Sequence, residues 1–200
     1  MKQQTTDVTL GRWTWATFTG WFLSIVAIIA LSAAFDGIGI ENLQFYLGVG
    51  MALGTSYMQW RVLHNAFGTG TTWIWNAVIG MGAPFLAFDL LKIFADVQLG
   101  ANYIIYSVCI ASVLAGLLQF LVLKKYAAKA GLWIIASILG WIAATSTVLV
   151  MDHTKGLIHN NWVGFIVNLS LIFAGGIVLG IITGLFMRKI EPVVPTTNVR

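Results

Sequence analysis

The stretch Ala115–Trp141, AGLLQFLVLKKYAAKAGLWIIASILGW, decides the fold. It joins the end of one apolar helix, a basic turn and the start of a second apolar helix. Its landmarks recur sixty residues upstream: Gln119 matches Gln59, Val122-Leu123 match Val62-Leu63, Trp133 matches Trp73 and Gly140 matches Gly80. Sixty residues further upstream, Trp13, Ala16, Gly20 and Trp21 stand in register with Trp133, Ala136, Gly140 and Trp141. Tryptophans and glycines at one constant spacing mark an internal repeat. The third unit has drifted, with Leu179 where the glutamine should recur.

Composition sets the class. Of 200 residues, 58% are hydrophobic and only 9% charged, and the mean hydropathy is +0.87. A soluble domain carries about 25% charged residues, so these values describe an integral membrane protein. With Cys109 as the one cysteine, no intramolecular disulfide forms. The net charge of +4 is not gathered into an Arg/Lys run or interleaved with aromatics. Nucleic acid is therefore not an expected partner.

Six apolar segments of spanning length follow in order, roughly 13–34, 43–63, 72–93, 102–123, 131–151 and 161–187. Short connections make consecutive helices antiparallel neighbours. Nothing alternates as a membrane β-strand would. The first segment is too long for the apolar part of a signal peptide and carries the repeat pattern, so it reads as a retained helix.

The expected fold is an all-α membrane protein: three parallel two-helix repeats of about 11–70, 71–130 and 131–190, with an axis along the membrane normal. Together they make one transmembrane domain, 1–190, followed by a flexible tail, 191–200. Nine of the eleven basic residues, among them Lys124, Lys125 and Lys129, fall on the side that holds both termini. The positive-inside rule puts that side in the cytoplasm. Trp13, Trp73 and Trp133 sit near the same face and read as interfacial anchors.

The string Gly116–Trp141 resembles a repeat of uncharacterised bacterial multi-pass membrane proteins. There a Gln-aromatic-x-Val-Leu helix end precedes basic residues and Trp-x-x-Ala-x-x-x-Gly-Trp. The resemblance extends at lower strength to 13–21 and 54–80. It implies the hairpin topology and a bacterial inner-membrane location, and it brings no catalytic residue. This chain departs from it at Met81, where a tryptophan would stand, and at Leu179.

Small residues four apart let helix backbones approach where lipid supplies no hydrophobic force. Gly20, Gly54, Gly80, Gly140, Gly176, Gly180 and Gly184 are the expected packing positions. Polar groups inside spans are costly and mark networks or sites, which singles out Gln59, Gln119, Asn76 and Asp89. The glutamines read either as inter-helix ties or as a polar constriction that touches a solute. Asp89, with Lys92 and Asp96, reads either as an ion cluster at a helix end or as a cation entry point. His153 and His159 are weak metal candidates in one loop. No triad, carboxylate pair, phosphate loop or zinc spacing is present, so an enzyme is not expected and no cofactor is implied.

Two function classes remain, each with membrane lipids as surroundings. One is a structural or accessory subunit, in a homo-oligomer or a larger membrane complex. The alternative is a module that binds or transports a small solute or lipophilic ligand, such as the substrate-binding subunit of a transporter.

Overall fold

In the computed structural model the basic turn of the decisive stretch does separate two helices. The structure describes residues 8–40, 43–97, 100, 103–157 and 161–192, without the side chains of 152–157 and 192. Its helices are α1 (Leu10–Gly37), α2 (Phe45–Phe67), α3 (Thr72–Ala95), α4 (Tyr103–Leu123), α5 (Leu132–Leu157) and α6 (Asn161–Met187). Two short strands complete it, β1 (Ala127–Ala128) and β2 (Glu191–Pro192).

Local chemistry explains several helix ends. Thr9 caps α1, its hydroxyl accepting the Arg12 N–H at 3.3 Å. Gly68 ends α2 in the left-handed region at φ 72°, where its N–H reaches the His64 carbonyl. Asp96 ends α3 at φ 51°, a conformation that short polar side chains tolerate.

Five of these helices are long and apolar enough to cross a membrane, and the chain is a multi-pass membrane protein. The exception is α2, expected as a sixth span. Its second half carries Gln59, Arg61, His64 and Asn65, which dilute its apolar character. It nevertheless takes its place beside the others. Each helix packs on the next in sequence and α6 packs back on α1, so the six close into a ring.

Every neighbour pair is antiparallel. The backbone around Gly54 meets Gly20 and Ser24 between α1 and α2, and Gly48 meets Met81 and Phe85 between α2 and α3. Gly80 meets Ala115, Gly116 meets Ile134 and Ser137, and Gly140 meets Leu179 and Thr183. Gly176, Gly180 and Gly184 close the ring on Trp21, Thr14 and Trp13 of α1. At Gly20, Gly54, Gly80 and Gly180 the opposing atoms include main chain, so a methyl group there would force two helices apart.

The antiparallel order puts the starts of α1, α3 and α5 and the ends of α2, α4 and α6 at one end of the ring. There β2 pairs antiparallel with β1, Ala127 opposite Pro192 and Ala128 opposite Glu191. An ion pair between Lys129 Nζ and Glu191 Oε1, 2.8 Å apart, ties the same strands. The hydrogen bond from Lys129 holds the Glu191 carboxyl below its ordinary pKa. The tail expected to be flexible from residue 191 thus begins docked on the α4–α5 turn; 193–200 lie outside the described residues.

Candidate binding site inside the helix ring

The interior of the ring holds three layers. The first lies at the end with the termini. Trp13, Trp73 and Trp133 meet there, with ring centroids 5.7 Å apart for Trp13–Trp133 and 5.1 Å for Trp73–Trp133. Edge and tilted contacts of this kind are favourable for aromatic pairs. This corrects the expected anchoring role: exposures of 0%, 0% and 2% leave these indoles no contact with headgroups. Position explains it. Two residues along a helix turn about 200°, so Trp15 and Trp75, at 67% and 60% exposure, take the outward face instead.

Each of the three indole N–H groups meets a different environment. Trp133 Nε1 donates to Gln119 Oε1 at 3.0 Å. Trp13 Nε1 donates to Thr183 Oγ1 at 2.9 Å, and the Thr183 hydroxyl in turn donates to the Leu179 carbonyl. Leu179 and Thr183 are the counterparts of Gln119 and Leu123. Leu179 stands sixty residues after Gln119, and one turn on the Thr183 hydroxyl serves the Trp13 N–H. Trp73 Nε1 has no protein partner. Its neighbour by register, Gln59, instead sends Nε2 to Thr17 Oγ1 at 3.4 Å. The repeat register was the signal that leads to Thr183; Thr17, a counterpart of Ala77, had none.

The second layer is a small polar cavity next to the tryptophans. Gln59 and Gln119 border it with Ser56, Ser137 and Thr183 among apolar neighbours. Its volume, measured by the centre of a water-sized sphere, is about 10 Å³, room for about one water molecule. The Ser56 hydroxyl is buried there without a protein partner. The structure thus brings the two glutamines to one small chamber.

The third layer, in the half of the ring away from the termini, is a larger apolar cavity. All six helices contribute to its wall: Trp21, Ile25 and Ile28 from α1, Leu47 and Met51 from α2, Phe85 from α3, Ile104 and Val108 from α4, Val148 from α5 and Ile172 from α6. Its volume on the same measure is about 200 Å³. Among the described residues no charged side chain lines it. Two hydroxyl residues do, Ser24 and Thr145. Ser24 Oγ is engaged at the α1–α2 contact: it reaches the Gly20 and Met51 carbonyls and accepts the Thr55 N–H.

Asn76 and Asp89 stand apart from these cavities. Asn76 Nδ2 donates to the Leu118 carbonyl at 2.7 Å, a tie between α3 and α4. Asp89 is buried. Its Oδ2 accepts the N–H groups of Gln44 and Phe45 at 2.8 and 2.7 Å, and its Oδ1 accepts the Tyr103 hydroxyl at 2.9 Å. A carboxylate from α3 thus caps the start of α2, where free N–H groups and the helix dipole favour negative charge. Asp89, read from sequence either as part of an ion cluster at a helix end or as a cation entry point, forms a three-helix clamp. Nothing in the sequence near Gln44 or Tyr103 announced that partnership. The side chains of His153 and His159 lie outside the described residues.

In comparisons with family models, with curated proteins and with solved structures, nothing matches this chain.

Proposed function

We propose that this chain is a membrane-embedded binding module for a small, uncharged, lipophilic molecule. The observation that carries the reading is the apolar cavity of about 200 Å³ to which every helix of the ring contributes. Ligand sites are concave and mostly apolar, with a few placed polar groups. A ring of six helices with tryptophans filling one end and an apolar chamber in the other half has that form.

The accessory-subunit reading draws on the glycine faces, and these are occupied within the chain. Gly20, Gly54, Gly80, Gly140, Gly176 and Gly180 each face a neighbouring helix of the same ring. That favours a self-contained module. We further read the ring as three parallel hairpins about a pseudo-threefold axis. The meeting of Trp13, Trp73 and Trp133 supports this. Both termini are assigned to the cytoplasm of a bacterial inner membrane, on the charge distribution given above.

The test is occupancy of the cavity. Protein in lipid nanodiscs should bind toluene saturably, beyond its uptake by empty nanodiscs. Ile172→Trp, at a half-buried wall position, should abolish that binding with thermal stability retained. Toluene bound equally by parent and variant places it elsewhere and overturns the reading.

A further inference from the structure

The cavity wall includes two residues with a polar group that has no protein partner among the described residues, the buried indole N–H of Trp21 and the hydroxyl of Thr145. Thr145 is only 8% exposed and lines the apolar wall on α5. Within a helix a threonine hydroxyl ordinarily bonds back to a carbonyl three or four residues earlier. The two residues that follow Thr145 keep that habit. Thr147 Oγ1 donates to the Ala144 carbonyl at 2.7 Å, and Ser146 Oγ to the Ile142 carbonyl at 2.9 Å. Thr183 does the same on α6 at 2.6 Å. Among the described residues the Thr145 hydroxyl makes no such bond. The other hydroxyl on the wall, Ser24, is fully engaged between two helices.

The residue is buried but its hydroxyl oxygen is not among the fully enclosed unpartnered atoms, which leaves it open to the cavity that it lines. Apart from Ser24 and the Trp21 N–H, the rest of the wall is aliphatic or aromatic, with Trp21 and Phe85 as aromatic members. A dry apolar cavity of about 150 Å³ accommodates benzene, so the volume here suits one ring or a compact branched hydrocarbon. Among the described residues no charged side chain lines the cavity to pair with an ionised ligand, and burying an unpaired charge is prohibitive.

Resting on the binding reading above, we infer that the ligand is a neutral, single-ring-sized hydrophobe bearing one hydrogen-bonding group, held in a fixed orientation by the Thr145 hydroxyl. The hydroxyl both donates and accepts, so a ligand carbonyl or hydroxyl satisfies it. Thr145 is thus the specificity-determining residue, and the apolar wall supplies affinity without direction.

The test compares phenol with toluene, which differ in the polar group and little in shape. Binding to the full chain in nanodiscs is measured by titration calorimetry, each probe referred to its own uptake by empty nanodiscs. Thr145→Val, which keeps the shape and removes the hydroxyl, should weaken phenol about ten-fold, the equivalent of one net hydrogen bond, and change toluene less than two-fold. Thr145→Ser should retain phenol. In the unmodified protein phenol should exceed toluene by a similar factor, a comparison that needs no variant. Equal binding of the two probes, or a Thr145→Val effect common to both, overturns the anchoring role and leaves the cavity reading standing. Failure of both probes to bind overturns the two together.

Discussion

Substituting Gln119 tests how the buried indoles of Trp133 and Trp13 find different acceptors. Gln119→Leu makes the second unit resemble the third at this position, where Leu179 already stands. The immediate loss is the 3.0 Å bond from Trp133 Nε1. Inter-helix hydrogen bonds in membranes average about 0.6 kcal/mol and reach about 1.7. Trp133 is 2% exposed, and an unpaired buried donor costs about 1–3 kcal/mol. A net loss of about 1.5 kcal/mol is expected, a drop in Tm of about 3–6 °C for a chain of this size. The Trp13 indole N–H is served by Thr183, which stands sixty residues after Leu123. Adding Leu123→Thr should therefore supply the missing acceptor. The introduced hydroxyl would donate to the residue 119 carbonyl, as Thr183 does to Leu179. Leu123→Thr alone removes buried apolar surface and should cost about 1–2 kcal/mol. The double variant should be no less stable than Leu123→Thr alone, a favourable coupling of at least about 1 kcal/mol. Thermal unfolding of the four proteins in one detergent gives the cycle directly. Additive costs within about 0.5 kcal/mol would refute the exchange of partners. Gln59→Leu serves as control and should lose under about 0.5 kcal/mol, since its bond to Thr17 is long and Trp73 is already unpartnered.

Asp89→Leu removes the acceptor of two backbone N–H groups and the Tyr103 hydroxyl, so a loss of about 3–5 kcal/mol is expected; Asp89→Asn and Tyr103→Phe should each cost less, and equal stability of Asp89→Leu and its parent would sink the clamp. Gly54→Ala should lower stability by about 1–3 kcal/mol through overpacking against α1. Gly11→Ala, where nothing lies within 4 Å of the added methyl group, should be neutral or stabilising; reversed ranks of these two in a melting assay would count against the ring packing. For orientation, a single cysteine at Lys125 in a Cys109→Ala background should label only from the cytoplasmic side, and labelling from outside would invert the topology.

Much of the architecture was legible because the membrane makes composition decisive. Apolar runs of about 20 residues have few alternatives in a bilayer, since helices satisfy their own backbone groups. The sixty-residue spacing of Trp13, Trp73 and Trp133 carried further information, as did the glycines at Gly20, Gly80 and Gly140. What the sequence could not reveal was the direction each residue faces. A tryptophan near a helix end serves equally as a headgroup anchor or as a core residue. Which it becomes depends on rotation of the helix against its neighbours, and only closure of the ring fixes that. The same holds for Asp89, whose partners come from two other helices, and for Thr145, one hydroxyl among many on apolar helices. Its significance lies in a cavity that exists only after six separate segments have met.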